Sequence, residues 1–402
     1  MNVVITTLFG LESLVAEELQ ALGYDRGQIK VSDGQVVLDA GPGVALAVAR
    51  LNVQLRTAER VLVQLAQYEA QDFDLFFDKA HALPWEDWID KNSVIIVNGY
   101  SRKSALFGIP ACQSLLKKAI VSRLAAVYGL QRGSHIVEDP GVGTVRIQFG
   151  IVNDLVTLMV DTSGDGLHKR GYRPLRHEAP LKETLAAALV QLSMFRPGSP
   201  EALLDPFCGS GTIPIEAALL AYRIAPGIHR AFAGETWSLI GPAAFAKARE
   251  EAADQVLAGR KDDVFIFGSD LSPQAVSVAM ANARSAGVGD FIRFRPADIN
   301  RMELAELRQW TGHDALLVIG NPPYGERLLD QDAARQIYEA TCNLFIPRGQ
   351  LEEAVRLTLL TSDKVFEQIA GRPADKRRKL YNGMIQCMMY HYFRNNKGVN
   401  RR

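Results

Sequence analysis

A chain of 402 residues exceeds what one hydrophobic core usually organises, so two or more domains are expected. Hydrophobic residues make up 48% and charged residues 22%, the balance of a folded globular protein, which excludes disorder over most of the length. Lys plus Arg and Asp plus Glu both total 45, so a polyanionic partner would have to be met by a local basic face rather than by global charge. The four cysteines, Cys112, Cys208, Cys342 and Cys387, form no CxxC pair and no Cys/His cluster, so neither a disulfide framework nor a metal site is expected. The start, MNVVITTLFGLESLVAEEL, is acidic early and lacks a secretory signal's basic, apolar and small-residue sections. No apolar run reaches membrane-spanning length. The expected location is cytoplasmic, with no membrane partner.

Residues 1 to about 60 predict a small α/β unit. A strand at Val3 to Thr7 precedes a helix with apolar spacing (Leu11, Leu14, Val15, Leu19, Leu22), and a second strand follows at Gln35 to Leu38. From about 61 to 165 come strand-like runs at Val94 to Val97, Thr144 to Phe149 and Leu155 to Val160, with a helical stretch from Cys112 to Tyr128. Between residues 98 and 137 the charges are Arg102, Lys103, Lys117, Lys118, Arg123 and Arg132, with no Asp or Glu among them. A one-signed segment in a neutral protein is a candidate phosphate-facing surface, and solvated helix and loop positions are the alternative.

From about 180 the pattern changes to apolar strands alternating with helices: Ala202 to Leu204, Val264 to Gly268, Phe291 to Phe294, Ala315 to Ile319 and Leu357 to Leu360. That alternation predicts a mostly parallel, doubly wound sheet. Residues 379 to 393, KLYNGMIQCMMYHYF, read as two strands around an Asn-Gly turn, a hairpin that would close the sheet with an antiparallel edge. The end, NNKGVNRR, has no apolar anchor and reads as a loose basic tail.

The strongest local signal is LLDPFCGSGTIPIEAALLA at 203 to 221. An apolar strand ends at Asp205, a turn carries Gly209 and Gly211, and a helix begins. Glycines let the backbone turn tightly and approach a ligand closely, and ligands of such sheets sit at the carboxyl ends of the strands. A dinucleotide fingerprint is not met, because Pro214 stands where a third Gly or Ala is required and no acid follows about 20 residues on. The next acid at a strand end is Asp270 in FIFGSDLSPQAV, suited to accept from a ribose diol, and the third strand leads to Asp298, placed for an adenine amino group. Three successive strand ends thus address one adenosine-like ligand without a phosphate-binding lysine, which favours S-adenosylmethionine over ATP or NAD.

The second motif, IGNPPYGERL at 319 to 328, follows the apolar strand ALLVI. Pro322 and Pro323 lock the backbone and withhold donors, so nearby carbonyls hold a fixed direction, and Asn321 offers a side-chain oxygen beside them. Together they can accept both hydrogens of an exocyclic amine, while Tyr324 offers a ring for a flipped base. Alignment carries most of such a reaction, since the methyl donor is already activated.

In this order and spacing, DPFCGSGT and NPPYGER resemble the class I amino-methyltransferases, and with residues 1 to 165 the chain resembles the THUMP-domain RNA guanine-N2 methyltransferases, in particular those of bacterial 23S ribosomal RNA. The segment LHKRGYRPLRHEAPLKETLAAAL at 167 to 189 is similar to that family's junction between RNA-binding and catalytic parts. The resemblance implies an α/β fold: a class I, Rossmann-like methyltransferase domain at 166 to 395 behind a ferredoxin-like region at 1 to 60 and a THUMP domain at 61 to 165, with a basic tail at 396 to 402. It implies that Asp205, Pro206, Phe207, Gly209, Gly211, Thr212, Asp270, Leu271, Asp298, Ile299 and Asn321 bind S-adenosylmethionine, with Pro180, Leu181 and Lys182 lining the other side. Asn321, Pro322, Pro323 and Tyr324 would hold the target amine and base. One known bacterial arrangement fuses a second methyltransferase domain behind the first, and this chain stops after one.

The stretch HKRGYRPLR is basic with an interleaved aromatic, which makes Lys169, Arg170, Tyr172 and Arg173 candidate RNA contacts beside Arg102, Lys103, Lys117, Lys118 and Arg123. Cys208 lies beside the glycine turn, but with no second cysteine near it small-residue packing is the expected role. Three other functions share these features: guanine-N2 methylation of transfer RNA, adenine-N6 or cytosine-N4 methylation of DNA, and a non-catalytic RNA-binding or assembly factor that keeps the fold.

Overall fold

The computed structural model describes residues 1–130, 136–173, 181–257, 265–324 and 331–394. Pro180, Arg132 and the tail at 396–402 lie outside the described residues. Two compact units make up the chain.

The first comprises Met1–Thr7, Val15–Leu167 and Gly227–Asp254. Its elements are β1 (Asn2–Thr7), α1 (Glu12–Ala21, from Val15 onward), β2 (Ile29–Ser32), β3 (Gln35–Asp39), α2 (Val44–Gln54), β4 (Ala58–Glu69), α3 (Phe73–His81), β5 (Val94–Arg102), α4 (Ile109–Val127), β6 (Thr144–Val152) and β7 (Leu155–Asp161). The strands form one seven-stranded sheet in the order β2-β3-β1-β4-β7-β6-β5, antiparallel except for the parallel pair β5 and β6. At 12 residues, β4 runs across residues 60 and 61, so the two modules expected on either side of that point share a single sheet. Alternation sets one face: Ile95, Val97, Val145, Ile147 and Phe149 are buried while Asn98, Tyr100 and Arg102 are exposed. Asp72 caps α3 by accepting from the Leu75 N–H at 2.7 Å.

One segment departs from the sequence expectation of an uninterrupted 166–395 domain. Gly227–Asp254, with α7 at Gly241–Ala253, belongs to the first unit. The reason is tertiary: Phe245, Ala248 and Ala252 give α7 one buried apolar face, and Arg50 of α2 grips Glu251 through two hydrogen bonds of 2.6 and 2.7 Å. The Gly227 N–H donates to the Val53 carbonyl at 2.9 Å, and Trp88 meets Trp237 edge to face.

The second unit comprises Leu8–Leu14, His168–Pro226 and Gln255–Arg402. It contains α5 (Glu183–Leu192), β8 (Glu201–Asp205), α6 (Thr212–Ala221), β9 (Ile266–Asp270), α8 (Pro273–Ser285), β10 (Ile292–Pro296), α9 (Leu304–Thr311), β11 (Ala315–Gly320), α10 (Gln331–Phe345), β12 (Val355–Thr361), α11 (Phe366–Ile369), β13 (Lys376–Asn382) and β14 (Ile385–Tyr392). The sheet order is β10-β9-β8-β11-β12-β14-β13. Strands β10 to β12 in that row are parallel, and β14 and β13 add the expected antiparallel hairpin around Gly383. The central strands read as near-continuous apolar runs because both their faces are covered, whereas the outer strand β13 exposes Lys376, Arg377 and Lys379, charges that discourage edge pairing. Helix α6 is buried almost all round, and its one acid, Glu216, is buried with it. The chain leaves β8 to β9 on one side and later returns to β11 on the other, so the sheet's topological switch point falls between β8 and β11.

His391 on β14 is fully buried, with its Nδ1 2.6 Å from Thr358 Oγ1 on β12. Burial, then the positive charges of Arg356 and Lys376 against the opposing charge of Asp375, push its pKa down to about 4. The unfolded chain therefore takes up this proton first, so the contribution of neutral His391 to stability is complete above about pH 6.5 and declines as pH falls from there toward 4. Thermal midpoints of the parent and of His391→Gln across that window should diverge, the variant losing less on acidification. Parallel curves would remove His391 as the source.

Candidate active site

Strand β8 ends at Asp205, whose Oδ1 accepts the Phe207 N–H at 3.0 Å, so this buried carboxylate pins the root of the loop that follows. Burial, with Asp270 close by, pushes its carboxyl well above the usual carboxylate range. The loop is tied to its neighbours at three points. The Cys208 N–H donates to the Ser269 carbonyl at 2.9 Å, the Gly209 N–H to Asp270 Oδ2 at 3.0 Å, and Asn282 Nδ2 on α8 to the Ser210 carbonyl at 3.0 Å. Gly211, in the left-handed conformation at φ 83°, starts α6, and a Cβ there would stand 2.9 Å from that of Ala279.

Asp270 lies at the end of β9, its Oδ1 accepting from the Ser272 N–H at 2.9 Å. The next residue, Leu271, is 71% exposed, an aliphatic side chain left bare beside a carboxylate. The Ala297 N–H donates to the Asp270 carbonyl at 2.9 Å, which sets Asp298 next to it, and Asp298 Oδ1 accepts from the Asn300 backbone and side chain. Ile299 is buried beneath. The row Asp205, Asp270, Asp298 thus runs along the carboxyl ends of three adjacent strands, with a glycine turn that leaves backbone room above them. These residues fit an adenosine-bearing ligand: paired oxygens for a diol, an exposed apolar side chain for a ring face, and no lysine facing a phosphate among the residues named.

The second motif leaves the adjacent strand. β11 pairs in parallel with β8, Val318 opposite Leu204, and a Cβ at Gly320 would lie 2.9 Å from the Phe207 ring. Asn321 to Tyr324 therefore emerge beside the glycine loop, at the switch point. The Tyr324 hydroxyl donates to Asn321 Oδ1, so that oxygen is aimed into the loop as an acceptor. Tyr338 of α10 is buried and holds the turn from behind: its hydroxyl donates to the Pro323 carbonyl at 3.0 Å and accepts from Thr361 Oγ1 at 2.9 Å. Burial pushes the Tyr338 hydroxyl up to about 12, so it stays a proton donor at neutral pH. Tyr338 was not singled out from the sequence, because a tyrosine at a helical core spacing carries no local mark. Tyr324 is half-buried against the core around α5 and α6 rather than free-standing.

Cys208 is buried, and burial, then Asp205 and Asp270, push its thiol well above the usual range, the state of a packing thiol.

The junction segment corrects a sequence expectation. Arg170, Tyr172 and Arg173 turn inward instead of facing RNA. The Arg170 side chain is 2% exposed and pairs with Glu216 at 3.4 Å, the Tyr172 hydroxyl donates to the same Glu216 oxygen at 3.0 Å, and Arg173 pairs with Glu183 at 2.7 Å. Glu216 lies inside apolar α6 and Glu183 opens apolar α5, both buried, and buried carboxylates require cations, which is why this basic run is drawn in. Arg173 also donates to the Leu181 carbonyl at 3.1 Å and to Thr212 Oγ1 at 3.2 Å, which brings Leu181 and Lys182 alongside the glycine loop. Lys169 is exposed. Of the helix α4 cations, Lys117 is paired with Glu138 at 2.7 Å and Arg123 with Glu86, while Lys118 is exposed, as are Arg102 and Lys103 at the end of β5.

Among the described residues, no helix is long and apolar enough to cross a membrane.

Three family models match the chain: an RlmL ferredoxin-like domain at residues 2–62, a THUMP domain at 70–161, and an RMKL-like methyltransferase domain at 170–391. The chain is 40% identical to YpsC of Bacillus subtilis (strain 168), named as a candidate RNA methyltransferase, over 98% of this chain and 96% of that one. It is 33% identical to the ribosomal RNA large subunit methyltransferase K/L of Syntrophotalea carbinolica, covering 95% of this chain but 52% of that longer protein. A Listeria monocytogenes structure described as a predicted N6-adenine-specific DNA methylase superposes with a TM-score of 0.84 at 39% identity, covering 98% of this chain and 96% of that one. SMU.472, a candidate methyltransferase solved as a complex with SAH, superposes with a TM-score of 0.84 at 34% identity over 99% of each chain. The chain belongs to the RMKL-like family of THUMP-domain class I RNA methyltransferases, and its methyl donor is S-adenosylmethionine.

Proposed function

We propose that this protein transfers a methyl group to the N2 amine of a guanine in RNA, with 23S ribosomal RNA as the substrate. The observation that carries the reading is the emergence of Asn321-Pro322-Pro323-Tyr324 beside the glycine loop at the switch point of one sheet. The donor supplies an electrophilic methyl group. Asn321 Oδ1 and the Pro322 carbonyl accept hydrogen bonds from the two amine hydrogens and direct the nitrogen lone pair, the methylated nitrogen sheds one proton to water, and Tyr324 meets the base. Asp270 holds the ribose diol, Asp298 the adenine amine, Leu271 and Ile299 the ring, while Pro206, Phe207, Gly209, Gly211 and Thr212 shape the backbone around the donor. Asp205 anchors that loop, and Leu181 and Lys182 close the side opposite. The region before residue 166 grips RNA. Kinship with the K/L ribosomal enzyme supports the 23S target.

A second reading, adenine-N6 methylation of DNA, is favoured by the name given to the Listeria structure and by the ability of an NPPY corner to serve any exocyclic amine. Purified protein with labelled donor should methylate 23S RNA and leave duplex DNA unlabelled. Nucleoside mass spectrometry should then show N2-methylguanosine in that RNA, absent from cells lacking the protein. Label in DNA alone would replace the proposal with the second reading. Label in transfer RNA would move the target, and no label in any nucleic acid would leave a binding factor.

A further inference from the structure

The exposed face of the first sheet holds a cleft of about 290 Å³ lined by Arg60, Asn98, Tyr100, Arg146, Gln148 and Asp161, among others. Strand register builds it. Asn98 on β5 stands opposite Gln148 on β6, Tyr100 opposite Gly150, and Arg146 opposite Asp161 on β7. Gly150 has no side chain to lift the tyrosine away: a Cβ there would be 2.9 Å from both Cζ and Oη of Tyr100. Tyr100 nevertheless remains 42% exposed.

The charges are unequally answered. Asp161, the carboxylate at the cleft, is paired with Arg60, which also donates to the Gly164 carbonyl at 2.8 Å. Arg146 enters no ion pair among the described residues, and Arg102 continues the Asn98 and Tyr100 row along the same face of β5. The cleft therefore offers an unanswered guanidinium, an accessible aromatic ring and two carboxamides, each both donor and acceptor.

We propose that this cleft binds single-stranded RNA, with one base on Tyr100, its flanking phosphate on Arg146, and the base edge on Asn98 and Gln148. The inference rests on the reading of the chain as an RNA-modifying enzyme and names the strand form that its first unit grips. The chemistry separates the candidates. A duplex is held across a broad shallow groove with its bases stacked inside, whereas an unpaired base can enter a concave site, stack on an aromatic ring and be read along its edge. A cleft this small, at the lower limit of about 300 Å³ for ligand pockets, suits the second. Of the cations the sequence singled out, Lys117 and Arg123 on α4 are committed to glutamates, whereas Lys118 is exposed and the strand residues Arg102 and Arg146 enter no ion pair among the described residues.

Fluorescence anisotropy of the full chain with a labelled, mixed-sequence, short single-stranded RNA tests this. Tyr100→Ala should weaken binding by roughly 5- to 150-fold, the range for losing one stacked base. Arg146→Ala should weaken binding and reduce the slope of log affinity against log salt by about 0.7. Tyr100→Phe should bind as the parent does. Gly150→Ala, which keeps both recognition side chains but displaces the ring, should also weaken binding, and it secures the test if Tyr100→Ala fails to fold. Unchanged affinity in Gly150→Ala and Arg146→Ala, or tighter binding of a duplex of the same sequence, overturns the cleft. If RNA is still methylated in that case, the enzymatic reading stands without it. If the unaltered chain methylates no RNA, that reading falls on its own evidence.

Discussion

Asn321→Ala should lower the rate of methyl transfer by about 10²- to 10³-fold while leaving donor affinity nearly unchanged. The scale is that for removing one oriented polar group that acts on charge developing in the transition state. An exocyclic amine is a poor nucleophile while its lone pair is delocalised into the base, and an acceptor on each hydrogen turns that lone pair toward the methyl group. The Asn321 oxygen is prepared for this. Tyr324 donates to it, and the turn behind it is fixed by Tyr338 on the Pro323 carbonyl, so a substrate N–H replaces one existing donor and no loop has to form. The donor contacts proposed above lie at the ends of β8, β9 and β10 and at Leu181 and Lys182, and the asparagine corner meets the glycine loop where Gly320 passes the Phe207 ring. Single-turnover methylation measured beside calorimetric donor titration separates the two effects. A variant that retains parental turnover would end the role assigned to Asn321, and one that loses donor binding in proportion would recast Asn321 as a donor contact. Asn321→Asp, which keeps an acceptor oxygen, should retain more activity than the alanine variant.

How much of this could be read from the chain depended on whether the deciding partner was near in sequence. The five parallel strands were legible because strands covered on both faces read as apolar runs, and Leu203, Leu317 and Leu357 mark them plainly. The two motifs were legible because backbone chemistry, Gly209 to Gly211 and Asn321 to Pro323, is written locally. Helix α7 was not. Its apolar positions Phe245, Ala248 and Ala252 announce a buried face but not which core receives it, and a glutamate answering Arg50 from 201 residues away leaves no local pattern. The tyrosine and arginine of HKRGYRPLR were misread for the same reason, since a basic run looks alike whether it faces water or a buried acid. The discriminating signal was present elsewhere, in the lone glutamate of IPIEAALLA: an acid within a fully apolar helix must find a cation, and the basic residues at the start of the domain were the available supply.

Glu216→Ala should strongly destabilise the catalytic unit. The Glu216 carboxylate is buried, and one oxygen takes both the Arg170 guanidinium and the Tyr172 hydroxyl. Removing it takes a buried ion-pair partner from a guanidinium whose side chain is 2% exposed and the acceptor from a buried hydroxyl, a loss of about 3 to 5 kcal/mol on the scale for breaking a buried pair from one side. Replacing the pair as a whole is a different matter, because two well-packed apolar side chains avoid both desolvation costs. Arg170→Met combined with Glu216→Leu should therefore recover much of the loss. The Arg173 to Glu183 pair, with its bridge to Thr212, would still hold the junction against the donor loop. Chemical denaturation of the single and double variants measures this coupling. If Glu216→Ala costs no more than about 1 kcal/mol, the level of an exposed pair, then the inward turn of the junction is not what stabilises the unit. If the double variant is as unstable as the single one, the carboxylate is required for a reason other than neutralising Arg170.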